Sequence, residues 1–212
     1  MLLVVGGEKG GSGKSTISQN LAVFLARAGY DVLLLDADPQ GTTRDWAAER
    51  QMNEGLAGLT FEHATGDLRK ILADRVKRYQ MVVVDAGGAD SLALRSAMAV
   101  ATHVLLPLRP KRRDLKTLPN LDLMIAQAKT VNPDLVVRAV ITQCPTLPSQ
   151  VKRILDAKEA CRSFEIEPLD AITMQRNAYD DADEGGESVF EIAASDTKAI
   201  EEVEAIAKEL WS

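Results

Sequence analysis

The chain has 212 residues, a formal net charge of −6, 46% hydrophobic and 26% charged residues. This is ordinary soluble globular composition, long enough for a full-sized core and expected to form one domain over residues 1–212. The acidic balance excludes a protein that binds nucleic acid by bulk charge, leaving only a local basic patch, and Cys144 and Cys161, with no C-x-x-C pair, exclude a cysteine-held iron–sulfur or zinc site and fit a reducing cytoplasm.

Leu2-Leu3-Val4-Val5 reads as a short buried strand with no basic segment before it, so it is not expected to be a signal peptide. It runs into Glu8-Lys9-Gly10-Gly11-Ser12-Gly13-Lys14-Ser15-Thr16, and residues Ser15 to Ala28 then read as a helix with Ile17, Leu21, Phe24 and Leu25 on one face. Val32 to Leu35 predicts a central parallel strand ending in Asp36-Ala37-Asp38-Pro39-Gln40. A helix is expected from Thr42 to Glu54 with Trp46 inward, and a short strand from Leu59 to His63. A further helix from Asp67 to Arg78 would turn Leu68, Ile71, Leu72 and Val76 inward. Met81-Val82-Val83-Val84-Asp85 is the next strand, and Leu92 to Ala101 a helix. Val104 to Pro107 and Leu135 to Thr142 read as strands around a helix from Leu115 to Val131. Helices are expected over 149–162 and 196–210, with a last strand within 164–172 and an irregular polar stretch through Gly186. No apolar run approaches the ~20 residues needed to cross a bilayer. Strands alternating with helices predict an α/β fold, a mostly parallel twisted sheet with helices on both faces.

The segment between the first strand and first helix has the makings of a phosphate-binding loop. Gly10, Gly11 and Gly13 let backbone N–H groups turn toward an anion, and the helix opening near Lys14 adds its positive dipole end. Lys14 can reach β- and γ-phosphates and Ser15 can ligate Mg²⁺. The pattern G-x-x-x-x-G-K-[ST] is not fully met, because Glu8 stands where its first glycine would be. Lys9 is a second lysine inside the loop. It either adds to neutralising the bound nucleotide or points to the nucleotide of another subunit. Ligands of such sheets bind beyond the carboxyl ends of the strands, where Asp36, Asp38 and Asp85 are delivered. Asp85 has the form of a carboxylate that holds Mg²⁺ directly or through water. Of Asp36 and Asp38, one can help with the metal and the other orient water; the alternative is a turn closed by Asp-Pro that caps the next helix.

The segments Lys9 to Thr16, Leu34 to Gly41 and Val82 to Asp85 together resemble the ParA/MinD group of deviant Walker ATPases, over most of the chain. The short N-terminus, with no room for a helix-turn-helix, and the stretch Arg176 to Glu191 are similar to small ParF-like plasmid partition proteins. The resemblance implies a P-loop NTPase fold, with ATP and Mg²⁺ as cofactors. Lys9 would be the signature lysine crossing an ATP-dependent homodimer to the partner's nucleotide. The loop from Gly10 through Gly11, Ser12 and Gly13 would cradle phosphate, Lys14 would bind the β/γ-phosphates, Ser15 the Mg²⁺ and Thr16 the α-phosphate. Asp38 would position the attacking water with Asp36 in support, and Asp85 would hold the magnesium shell. Adenine contacts in the group come from the strand end at Thr142-Gln143 and a loop near Pro168; Gln143 is a candidate contact or simply a polar strand end.

Arg109-Pro110-Lys111-Arg112-Arg113 is the densest basic run. It reads either as a solvated loop or as part of a DNA- or partner-contacting face, with Lys116, Lys152, Arg153 and Arg176 available to join it. His63 and His103 read as packing residues. The function implied is a cytoplasmic, nucleoid-associated ATPase that dimerises on nonspecific DNA and segregates plasmid DNA with a ParB-like or ribbon-helix-helix partner. The alternatives are a relative that positions a protein cargo such as a carboxysome or chemoreceptor cluster, a MinD-like membrane switch, and a dethiobiotin synthetase-like ligase. The acidic helix from Ala199 to Leu210, with Glu201, Glu202, Glu204 and Glu209, argues against anionic lipid and for no membrane partner.

Overall fold

The computed structural model describes residues 1–88, 91–193 and 196–211. Its centre is a seven-stranded sheet of order β3-β2-β4-β1-β5-β6-β7. The strands are β1 (Leu2–Val5), β2 (Val32–Asp36), β3 (Thr60–His63), β4 (Met81–Asp85), β5 (His103–Leu108), β6 (Val136–Cys144) and β7 (Glu167–Met174). Every pairing is parallel. The helices are α1 (Lys14–Arg27), α2 (Thr42–Met52), α3 (Arg69–Arg75), α4 (Leu92–Met98), α5 (Arg112–Leu115), α6 (Leu118–Val131), α7 (Val151–Arg162), α8 (Asn177–Asp183) and α9 (Thr197–Leu210).

Strand side chains alternate between two buried layers, as a sheet covered on both faces requires. Leu2, Val4, Leu33, Leu35, Val82 and Val84 meet Leu72 of α3, Leu94 of α4, Leu121 of α6 and Ile154 of α7. Leu3, Val5, Leu34 and Val83 meet Leu21 of α1, Trp46 of α2 and Ile206 of α9. Helix α1 ends where Ala28 donates to the Phe24 carbonyl and Gly29 takes φ 90°, a left-handed stop. The Asp196 carboxylate starts α9 by accepting from the Lys198 and Ala199 N–H groups.

Some expected boundaries move. α3 is shorter than predicted, and Val76 sits at its C-cap with 37% exposure rather than inward, because tight i→i+3 bonds follow it. The helix expected from Leu115 begins at Leu118, after the separate turn α5. The stretch expected to be irregular contains α8, whose buried residues are Ala178 and Ala182, with Tyr179 partly buried against the core, too little apolar pattern to read from sequence.

The edge strand β7 is covered by α9. Glu209 accepts from the Asp170 and Ala171 N–H groups, both at 2.6 Å, and Glu202 accepts from Met174 N–H at 3.1 Å. Two of the acids of α9 are thus turned to the backbone of the sheet.

Candidate functional site

The loop after β1 lies at the carboxyl end of the sheet, and its shape depends on Gly11 at φ 69° and Gly13 at φ 87°. Each carbonyl from Lys9 to Ser12 accepts from a side chain. Lys14 Nζ donates to Lys9 O at 2.8 Å, and Arg109 Nη2 to Gly10 O at 3.4 Å. Gln143 Nε2 donates to Gly11 O at 2.9 Å, and Thr142 Oγ1 to Ser12 O at 2.7 Å. Gln143 takes φ 48°, a left-handed conformation unusual for a non-glycine residue, at the end of the irregular β6. Lys14 is buried while the Lys9 side chain is exposed. Burial pulls the Lys14 ammonium below its usual pKa, Asp85 and Asp38 oppose that, and the charge of Arg109 adds to it.

Opposite the loop, β2 and β4 place Asp36 and Asp85 side by side in register. Asp85 is 1% exposed and its Oδ2 accepts from Thr43 Oγ1 at 2.7 Å. Burial pushes its carboxyl up to about 6, against hydroxyl donation from Thr43 and Ser15, with Asp36 raising it and Lys14 lowering it. The Asp36 carboxylate accepts from Asp38 N–H and Arg44 N–H, both at 2.8 Å. That is the turn-closing, helix-capping use of Asp36 that the Asp-Pro segment allows; burial still raises its pKa. Asp38 is half-buried, faces the same cavity as Gly10, Gly11, Lys14, Ser15 and Thr16, and accepts from Gln40 N–H at 2.9 Å. A Cβ on Gly87 would lie 2.8 Å from the Asp38 Cγ, so the glycine makes room for that carboxylate.

A second cavity adjoins the loop on the other side. Gly13, Thr16, Thr142, Gln143, Met174, Gln175, Arg176 and Tyr179 line it. Gln143 is therefore beside this cavity, although its amide is engaged by the loop. The end of β7 and the residues after it, Met174 to Arg176, form one wall of this cavity. Pro168 lies at the other end of β7, paired with Ala139, and does not line this cavity. Arg176 also leaves the basic surface expected for it. Its guanidinium is held by Glu202 at 2.7 Å and Asp196 at 3.4 Å, next to Tyr179, whose hydroxyl donates to Glu202 at 2.8 Å.

The basic run divides. Arg109 turns to the loop and forks onto Asp114, 2.7 Å from Nε and 3.2 Å from Nη2, and Asp114 is 1% exposed. Lys111, Arg112 and Lys116 stay on the surface and border one groove with Arg153 of α7. Lys152 and Arg113 are exposed as well. Glu8, in the place of the first glycine, is hydrogen-bonded by Asn120 of α6.

Thr43, Thr142, Arg109 and Asp114 are site residues that sequence reasoning missed or misplaced. Thr43 had a usable signal, close after Asp-Pro-Gln-Gly at the start of a helix; the others come from segments distant in sequence. Among the described residues no cluster of His, Cys, Asp and Glu could hold a metal by itself. The donors present, a serine hydroxyl and a buried carboxylate beside an anion cradle, fit a hard cation that arrives with phosphate oxygens and water. No described helix is long and apolar enough to cross a membrane.

Compared with known proteins, residues 3–195 match the family model described as the CobQ/CobB/MinD/ParA nucleotide binding domain. The chain is 28% identical over 211 residues to the maintenance of carboxysome distribution protein A of Halothiobacillus neapolitanus, covering 98% of this chain and 95% of that one. It is 43% identical over 113 residues to the protein of the same name from Gloeobacter kilaueensis, spanning 52% of this chain and 50% of that one. Protein ParA of Rhizobium radiobacter is 34% identical over 113 residues, 53% of this chain and 50% of its own. Among solved structures, apo McdA of Cyanothece superposes with TM-score 0.74 at 16% identity, covering 97% of this chain and 98% of that one. A plasmid partition protein of Borrelia burgdorferi bound to AMPPNP gives 0.72 at 17% identity, covering 98% of both chains.

Proposed function

The chain belongs to the CobQ/CobB/MinD/ParA nucleotide-binding family, and on that premise we propose that it is a Mg²⁺-dependent ATPase whose ATP-bound form pairs two copies on nonspecific DNA to segregate plasmid DNA. The observation that carries this reading is Lys9, a second lysine in the phosphate loop whose side chain is exposed while Lys14 is buried. Lys14 and the N–H groups of Gly10 to Thr16 bind the phosphates. Ser15 and Asp85 would hold Mg²⁺, which would supply charge neutralisation at the phosphates. Asp36 fixes the turn that carries Asp38, and Asp38 orients the attacking water. Lys9 reaches the partner's nucleotide, where a second cation stabilises the charge of phosphoryl transfer. Hydrolysis removes the charge that held the subunits together, so pairing reports the nucleotide state.

The exposed Lys111, Arg112, Arg113, Lys116, Lys152 and Arg153 support a DNA-contacting face that becomes continuous in the dimer. A ParB-like or ribbon-helix-helix protein would bring the cargo and stimulate hydrolysis. A second reading, positioning of a protein body such as a carboxysome, is supported by the Halothiobacillus relative, which matches over nearly the full length of both chains. The MinD-like membrane reading is disfavoured, since the apolar face of α9 is packed on the domain through Val203, Ile206 and Leu210.

Light scattering and DNA retention with ATP, with ADP, and with Lys9→Ala test the reading. The wild type should dimerise and be retained only with ATP, with retention falling steeply as salt rises, and Lys9→Ala should stay monomeric. Wild-type dimers from Lys9→Ala, or retention in ADP, would overturn it. A pull-down with an Asp38→Ala bait then separates a centromere-binding partner from one that coats a protein body.

A further inference from the structure

We infer that Arg109 is a positioning residue of the phosphate loop, locked by Asp114 so that it holds the loop's amides ready for the anion; this rests on the nucleotide-binding reading above. The argument starts from the peptide unit. The C=O of one residue and the N–H of the next lie in one plane and point in opposite directions. Arg109, Gln143 and Thr142 donate to the carbonyls of Gly10, Gly11 and Ser12. Holding those carbonyls on one side turns the N–H groups of Gly11, Ser12 and Gly13 to the other. These amides gain nothing from neighbours in a regular element, so their direction depends on such side-chain donors.

Of the three donors, Arg109 is the charged one, and an ion pair with Asp114 holds its long side chain in place. Two of its nitrogens fork onto the Asp114 carboxylate, and its own N–H lies 3.4 Å from the same oxygen Oδ2. Asp114 is in turn fixed at the turn of α5, where its N–H donates to Lys111 O and its carbonyl accepts from Thr117 Oγ1. The guanidinium also fills the space beside Gly11, with Nη1 at 3.4 Å from where a Cβ would stand. A bidentate fork of this kind is a geometry that lysine cannot reproduce. Arg109 follows β5, the strand paired with β1, so it comes to the loop from the neighbouring strand.

The test measures affinity for ATP and for ADP of the full chain by a fluorescent nucleotide analogue, with thermal melting alongside. Arg109→Lys keeps the charge and should weaken both nucleotides about tenfold, by the same factor at low and high salt, while saturating ATP restores wild-type dimerisation. Because Arg109→Leu leaves Asp114 buried and unpaired, the double variant Arg109→Leu/Asp114→Asn removes that charge and should melt near the wild type yet show the same loss. Wild-type affinity in either variant, or full rescue by lysine, would overturn the inference. Failure of the wild type itself to bind ATP would instead overturn the functional reading.

Discussion

Asp85→Asn should make the nucleotide-free protein more stable and at the same time remove its response to Mg²⁺. The Asp85 carboxylate is buried beside Asp36, and burial lifts it from an ordinary 3.8 to about 6 despite donation from Thr43 and Ser15. The folded chain therefore binds this proton more tightly than the unfolded one. The stability it contributes is fully present below pH ~4, is lost as pH rises from ~4 to ~6, and is level above that. At neutral pH the ionised carboxylate costs the fold roughly 3 kcal/mol on this basis. An asparagine removes the charge but brings an amide that needs its own acceptor, so a net gain of about 1–2 kcal/mol is expected. For a chain of this length that is a rise of roughly 2–8 °C in Tm. The assay is a melting series from pH 5 to pH 8 in EDTA, repeated with ATP and Mg²⁺. The gap between variant and wild type should close toward pH 5, and only the wild type should gain from Mg²⁺ beyond what ATP alone gives. A variant that melts below the wild type at pH 7.5 in EDTA would refute the reasoning, because the carboxylate would then be a net stabiliser of the empty site.

Asp38→Ala should bind ATP with near wild-type affinity and lose about 10²–10⁴-fold in turnover, read by phosphate release, with the dimer trapped; normal turnover would move the water-orienting role elsewhere. Gly87→Ala places a methyl 2.8 Å from the Asp38 Cγ and should cut kcat up to about a hundredfold by displacing that carboxylate, with little change in KM. Arg50→Leu breaks a buried pair, since Arg50 forks onto Glu191 and also donates to the Gly186 and Ala57 carbonyls. It should cost about 3–5 kcal/mol, visible as a drop of roughly 6–20 °C in Tm.

The glycine loop between β1 and α1, the aspartates at the strand ends and the parallel sheet were legible because each is local in sequence. A glycine loop between an apolar run and a helix is written in consecutive residues, and an all-buried strand shows as Val82-Val83-Val84 without any knowledge of its neighbours. What supports the loop was not legible. Arg109 sits in a run of cations that reads as surface, and only the pairing of β5 with β1 shows that its neighbour is Gly10. Thr142 and Gln143 meet the loop across 130 and 132 residues of chain. Arg176 looked available for a basic face because Glu202 and Asp196, which hold it, belong to a later helix and its cap. α8 was hidden for a different reason: seven residues rich in aspartate carry no apolar stripe beyond two alanines.

The carboxylates of α9 that cap the backbone of β7 bear on how copies of this chain can associate. A sheet edge with open amides is a template onto which any extended chain can be added. Here Glu202 and Glu209 already accept from the Met174, Asp170 and Ala171 N–H groups. The helix would have to lift off before a foreign strand could register along those positions. Association on that flank is thereby directed to side-chain surfaces, whose charges salt screens, and away from main-chain pairing.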